Sequence, residues 1–205
     1  MLFYPIGKKG GLTLPDNLRK LNYQLKTNKL TSIQVTANNS KFTSVDGVLY
    51  DNRTRKMLCY PLYKGTYRIP KSVNDVNYLY QIQDIVKLKS IQVSGKNNKF
   101  YAKDGVLFSN SNDTLLYYPP QKAGAYVVPE STAYIDPDAF NYAKKLTKLT
   151  ISKNVSRHAY TTYSFENCSN LQEIVVKQGK LNSINMSFWY CDKLKKITLP
   201  SSIMT

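Results

Sequence analysis

Two apolar residues flanking one outward position recur at eight places along the chain, the outward residue being polar at six of them. The first apolar column reads Leu12, Ile33, Tyr67, Ile91, Tyr126, Leu149, Ile174 and Ile197. The second reads Leu14, Val35, Ile69, Val93, Val128, Ile151, Val176 and Leu199. Between them stand Thr13, Gln34, Arg68, Gln92, Val127, Thr150, Val175 and Thr198. Apolar–outward–apolar over three residues is the period-two signature of a strand with one buried face. Strands are therefore predicted at 12–14, 33–35, 67–69, 91–93, 126–128, 149–151, 174–176 and 197–199. At repeat spacing they imply one parallel strand per rung, stacked about 4.8 Å apart. A lone rung cannot bury its apolar side, so stacking must build the core.

The second-column residues are separated by 21, 34, 24, 35, 23, 25 and 23 positions. Two of these intervals are longer than the others, and a longer repeat explains them. Lys29-Leu-Thr-Ser-Ile-Gln-Val35 recurs as Lys87-Leu-Lys-Ser-Ile-Gln-Val93 and as Lys145-Leu-Thr-Lys-Leu-Thr-Ile151, at an offset of 58 residues each time. Inside the long intervals lie Asp46-Gly-Val-Leu-Tyr50 with Leu58-Cys-Tyr-Pro61, and Asp104-Gly-Val-Leu-Phe108 with Leu116-Tyr-Tyr-Pro119. Each is read as a β-hairpin inserted into a rung, Val48–Tyr50 pairing with Met57–Tyr60 and Val106–Phe108 with Leu115–Tyr118. The expectation is one repeat domain over 1–205, with 58-residue units near 1–56 and 57–114 and short repeats over 115–205. Phe3-Tyr-Pro5 matches a returning hairpin strand, and 200–205 follow a strand in mid-repeat, so the chain reads as a segment of a longer array.

These residues resemble the BspA-like leucine-rich repeats of bacterial surface proteins. Ser131–Leu149 carries the pattern through Ile135, Ala139-Phe140 and Leu146, and Ser164-Phe165-x-x-Cys168 and Ser187-Phe188-x-x-Cys191 repeat its core. The first two long units depart from it, with Tyr23 and Tyr78–Tyr80 near the place of the Ala-Phe pair. The resemblance implies a leucine-rich-repeat solenoid of about eight rungs with inserted hairpins. It also implies a secreted or cell-surface protein that binds other proteins in adhesion or host interaction.

Charge alters that picture. Lys plus Arg number 29 against 13 Asp plus Glu, a formal +16, which favours contact with polyanions. Lys29, Lys87, Lys145 and Lys193 each stand directly before the rung leucine, with Asn170 in the same place, making a ladder along one edge. Arg53, Arg55 and Lys56 form a second basic cluster on the first hairpin. A sulfated glycan or cell-wall polymer is thus the alternative partner, while nucleic acid lacks an exposed aromatic stacking series. The equally simple account is a solvated edge kept charged for solubility.

The rest of the chemistry points away from catalysis. The one histidine, His158, falls at an inward register, and no base stands beside a nucleophile with a third group to orient it. Three cysteines, Cys59, Cys168 and Cys191, form no CxxC pair and no zinc set with one histidine, so no metal or cofactor is expected. Cys168 and Cys191 occupy one position in successive rungs and read as core filling, a redox pair being the sharper alternative. The start, MLFYPIGKKG, is not a signal peptide, and no run approaches a membrane span. Candidate partner contacts are Gln34, Arg68, Gln92, Lys148, Thr150 and Lys196 on the strand face. The hairpin tyrosines Tyr50, Tyr60 and Tyr118 join them, although packing against the solenoid suits those three equally well.

Overall fold

The computed structural model describes residues 9–21, 29–83, 86–156 and 162–203. The chain forms a β-solenoid of about eight turns, partitioned into two compact units, Met1–Leu88 with Val93–Asn98, and Lys89–Gln92 with Lys99–Thr205.

In the first unit β1 (Lys9–Leu14) and β2 (Lys29–Val35) pair in parallel, with Leu12 opposite Ile33 and Thr13 opposite Gln34, the alignment that the columns require. The long interval then opens as a three-stranded antiparallel meander, β3 (Phe42–Val45), β4 (Val48–Asp51) and β5 (Met57–Cys59). The β4–β5 hairpin is the expected one, and β3 is an addition. A two-residue Asp46-Gly47 turn joins β3 to β4, both residues at positive φ, 50° and 74°. That is the tight hairpin turn whose twist matches the strands it connects. Strand β6 (Thr66–Ile69) and a short 3-10 helix, Asn77–Leu79, follow.

The second unit repeats the plan after β7 (Ser90–Val93), the strand at which the chain passes from one unit to the other. Its meander is β8 (Phe100–Lys103), β9 (Val106–Ser109) and β10 (Thr114–Tyr117), again turning on Asp104-Gly105 at φ 51° and 77°. Beyond β11 (Gly124–Val127), the two-residue β12 (Tyr134–Ile135) adds in parallel to β10. Strands β13 (Leu146–Ile151), β15 (Glu173–Val176) and β17 (Lys196–Thr198) stack on β11 as a four-stranded parallel ladder. A second parallel pair, β14 (Thr162–Ser164) and β16 (Asn185–Ser187), runs on another side of the same rungs.

The eight expected strands all form, but not in one continuous ladder, because the meanders interrupt it. The Ile33 amide donates to the carbonyl of Gly47 at 2.7 Å, and the Ile91 amide to that of Gly105 at 2.9 Å. The Asp-Gly turn thus takes the hydrogen-bonding edge of its own rung strand, and β2 shares no ladder with β6. The approach is close: a Cβ on Gly47 would sit 2.9 Å from Ser32 Cβ, and one on Gly105 2.7 Å from Ser90 Oγ. Only glycine fits both the conformation and the space.

Burial follows the two columns with four exceptions. Leu12, Ile33, Tyr67, Ile91, Tyr126, Leu149 and Ile174 are buried, as are Leu14, Ile69, Val128, Ile151 and Val176. Val35 and Val93, at the last positions of β2 and β7, are half-buried. Ile197 and Leu199 are exposed, since no further strand pairs with β17 among the described residues. Buried asparagines tie the turns of the first unit together: Asn39 Nδ2 donates to the carbonyls of Pro15 and Leu18 at 2.7 and 3.2 Å. Asn97 makes the same pair of bonds to Pro70 and Val73 at 3.1 and 2.9 Å.

Candidate binding surface

The outward column becomes a surface where rungs stack without interruption, on the β11–β13–β15–β17 ladder. Strand register places Val127, Thr150, Val175 and Thr198 side by side in one row. Two positions earlier a second row holds Ala125, Lys148, Glu173 and Lys196. In the second row Lys148 Nζ lies 2.7 Å and Lys196 Nζ 3.6 Å from the Glu173 carboxylate. The Lys148 ammonium beside it, with Lys196 adding, holds that carboxyl below its usual range. One acid between two bases leaves the row net positive but internally fixed. The first row alternates valine and threonine, and Val127 is 57% exposed. The surface therefore presents β-branched side chains beside a tethered charge row.

Of the expected contacts, Lys148, Thr150 and Lys196 come together on this face, joined by Val127, Val175 and Glu173. The signal for those three was present, since valine recurs in a column otherwise polar, and Glu173 occupies the rung position of Lys148. Gln34, Arg68 and Gln92 are exposed but stand on strands whose ladders the meanders break.

The hairpin tyrosines take the packing alternative and are buried. Tyr50, Tyr60 and Tyr118 are 2%, 0% and 1% exposed. Their hydroxyls are satisfied within the fold: Tyr50 to the Tyr67 hydroxyl at 2.9 Å, Tyr60 to the Lys64 carbonyl at 2.9 Å and Tyr118 to the Lys122 carbonyl at 3.2 Å. Tyr60 packs edge-on against Tyr67, and Tyr118 against Tyr126, with centroids 5.2 Å apart in both units. The meander brings its aromatic face onto the rungs, and burying that large apolar area outweighs exposing it.

The edge lysines Lys29, Lys87, Lys145 and Lys193 are all exposed. In the second unit their line is structured: Lys193 Nζ donates to Asn170 Oδ1 at 2.8 Å, and Asn170 Nδ2 donates to the Lys144 carbonyl at 2.6 Å. Arg53 and Arg55 are exposed on the first meander, and Lys56 pairs with Asp75 at 3.3 Å. Cys168 and Cys191 are free thiols, donating to the carbonyls of Phe140 and Phe165 one rung back at 3.1 and 2.8 Å. They flank a column of stacked rings, Phe140–Phe165 at 5.8 Å and Phe165–Phe188 at 5.4 Å. The neighbouring Cys191 thiol and burial push the Cys168 thiol well above its ordinary range. Burial pushes Cys59 up to about 12. His158 lies outside the described residues, among which no three metal-ligating side chains converge. None of the described helices is long and apolar enough to cross a membrane.

Residues 117–205 match the model of the BspA type leucine rich repeat region, in six copies. No curated protein matches the chain in sequence. A leucine-rich repeat protein from Eubacterium ventriosum is 20% identical, with a TM-score of 0.46 over 69% of this chain and 50% of that one. The pneumococcal vaccine antigen PcpA is 16% identical, with a TM-score of 0.46 over 95% and 58%. A leucine rich cell surface protein from Faecalibacterium prausnitzii is 15% identical, with a TM-score of 0.51 over 94% and 54%, and shares the fold. The chain spans between 50% and 58% of the length of these structures. Over residues 117–205, the chain is similar to the BspA-type leucine-rich repeat family.

Proposed function

We propose that this repeat module binds a protein of the host or matrix through the strand face of its second unit, as part of a secreted or surface-attached protein. One observation carries the reading: four consecutive rungs align a valine–threonine row beside the fixed Lys148–Glu173–Lys196 row. A face that served only solubility has no use for Val127 and Val175 in an outward column. Binding, rather than catalysis, is what such a surface does: it presents contact area and charge and brings no nucleophile to a base. The names of the similar structures, a cell surface protein and a vaccine antigen, support the compartment. The test is binding to immobilised matrix proteins such as fibronectin and collagen, comparing the parent with Val127→Glu and Val175→Glu. Both substitutions lie on the outward face, so melting should hold while binding falls. Unchanged binding in both variants removes the face from the account.

A second reading rests on the exposure of all four edge lysines. Replacing Lys29, Lys87, Lys145 and Lys193 with Glu should abolish retention on heparin, because polyanion affinity scales with the number of neutralised anionic groups. A control reversing Lys71, Lys99, Lys122 and Lys180, all outside the edge line, changes net charge equally. Equal loss in the two would mean that bulk charge alone matters.

A further inference from the structure

The first unit holds a cleft of about 630 Å³ away from its rung strands, within the size range of small-ligand sites. Three parts of the unit form it: the segment Arg19–Leu21, the β3–β4–β5 meander and the segment from Asp75 to Gln81. Its floor is apolar, with Phe42 and Met57 buried and Leu21 and Leu58 half-buried. Its charges are unequal. Asp51 is saturated by Lys41 Nζ at 2.7 Å and by the amides of Arg53 and Thr54 at 3.0 and 2.7 Å. Asp75 is held by Lys56 Nζ at 3.3 Å and by the Asn77 amide at 2.9 Å. Arg19 and Lys20 make no salt bridge among the described residues, Arg19 lying near enough to the Asp16 carboxylate to help hold it below its usual range. The guanidinium of Arg19 is steadied by the carbonyls of Asp16 and Leu18.

The fold does not need these charges. In the second unit the same meander register puts Ser109 opposite Phe100, where the first unit has Asp51 opposite Phe42. It likewise puts Thr114 beside Tyr134, where the first unit has Lys56 beside Asp75. The meander forms equally well with uncharged residues, so the charged cleft is a property of one unit and not of the repeat.

We propose that this cleft binds an acidic saccharide, a hydroxylated ring bearing a carboxylate or sulfate. Arg19 and Lys20, exposed and in no salt bridge among the described residues, receive the anionic group. The amides of Asn77 and Gln81 and the free lone pairs of Asp75, whose side chain is 22% exposed, both donate and accept, as ring hydroxyls require. The apolar floor takes the C–H face of the ring. An acidic peptide fits less well, because extended peptides bind by main-chain pairing to a strand edge. The outer edge of β5 is already used, the Met57 amide donating to the Asp75 carbonyl at 3.3 Å.

The inference is independent of the strand-face reading, and the experiment keeps the two apart. The full chain is titrated calorimetrically with a heparin-derived tetrasaccharide, with tetragalacturonate and with neutral maltotetraose. The expected result is binding of one or both acidic probes and none of maltotetraose, the stronger acidic probe identifying sulfate or carboxylate as the recognised group. Arg19→Gln with Lys20→Gln should weaken that binding about tenfold or more, the loss of one or more charge-assisted hydrogen bonds. Lys71→Gln with Lys96→Gln, which removes the same charge outside the cleft, should leave it within about twofold. The single Lys20→Gln, at an exposed position, keeps the comparison alive if the double variant melts early. Val127→Glu should leave saccharide binding unchanged. Absence of binding to both acidic probes, equal binding of maltotetraose, or equal loss in the cleft and control variants overturns the proposal.

Discussion

The two units differ at one buried hydroxyl, and the difference predicts opposite signs for the same substitution. In the first unit Tyr67 is 0% exposed and its hydroxyl lies 2.9 Å from that of Tyr50. In the second unit the residue in the place of Tyr50 is Phe108, one long repeat later, and the Tyr126 hydroxyl is buried with no hydrogen-bond partner among the described residues. Tyr67→Phe removes one bond and strands the Tyr50 hydroxyl, a loss of about 1–3 kcal/mol. For a chain of this size that lowers Tm by roughly 2–4 °C per kcal/mol. Tyr126→Phe removes a hydroxyl that was desolvated for nothing, so it should be neutral or raise stability by about 1 kcal/mol. The double variant Tyr50→Phe with Tyr67→Phe should cost less than the sum of its singles, because neither hydroxyl is left alone. Urea denaturation of the four variants reads all of these effects. If Tyr126→Phe costs as much as Tyr67→Phe, the Tyr126 hydroxyl has a partner and the comparison between units is wrong.

Two further outcomes follow from local geometry. Gly105→Ala should cost about 1–3 kcal/mol from its positive φ and its contact with Ser90, and Ser90→Ala should restore part of that by removing the crowding oxygen. Gly47→Ala should not be rescued by Ser32→Ala, since there the added carbon meets Ser32 Cβ and Cα at 2.9 and 3.2 Å; rescue at Gly47 equal to that at Gly105 would show the close approach to be misplaced. The Lys41 bond, with the Thr54 amide, holds the Asp51 carboxyl well below the usual carboxylate range. A depressed folded-state value stabilises above the unfolded value of about 4 and is lost as pH falls further. The stability gap between the parent and Asp51→Asn should therefore narrow from about pH 5 downwards, and a gap constant with pH would remove Asp51 as its source.

The rung strands were legible because each needs only three residues with a fixed alternation, and stacking repeats the same demand. The meander was half legible. Its β4–β5 hairpin follows from the apolar runs, but Phe42–Val45 and Phe100–Lys103 carry mixed polarity, since one face of β3 and β8 stays half-exposed. The Asp-Gly dipeptides were the available signal for them, and in both units they form the two-residue turn that such a pair favours. The binding surface was legible by column but not by continuity. Gln34, Arg68 and Gln92 satisfy the outward pattern as well as Thr150 does. Which outward residues adjoin one another depends on where the turns of Gly47 and Gly105 take the strand edge, a long-range contact that no local pattern encodes. The hairpin tyrosines stayed open between two readings for a related reason: a tyrosine on a short strand has the same sequence signature whether its ring faces a partner or its own core.

A core column and an outward column run one residue apart along the rungs, and the middle of the ladder tests that division. Leu149 is 0% exposed and Thr150 half-exposed, with β11 on one side and β15 on the other. Thermal melts of Leu149→Asp and Thr150→Asp measure the division directly. An unpaired charge in the core costs several kcal/mol, which is most of the stability of a typical domain, about 5–15 kcal/mol. Leu149→Asp should lose the cooperative transition or shift it far down, while Thr150→Asp should melt within about 1 kcal/mol of the parent. Equal melting of the two variants would contradict the inward and outward assignment, and with it the strand face as a binding surface.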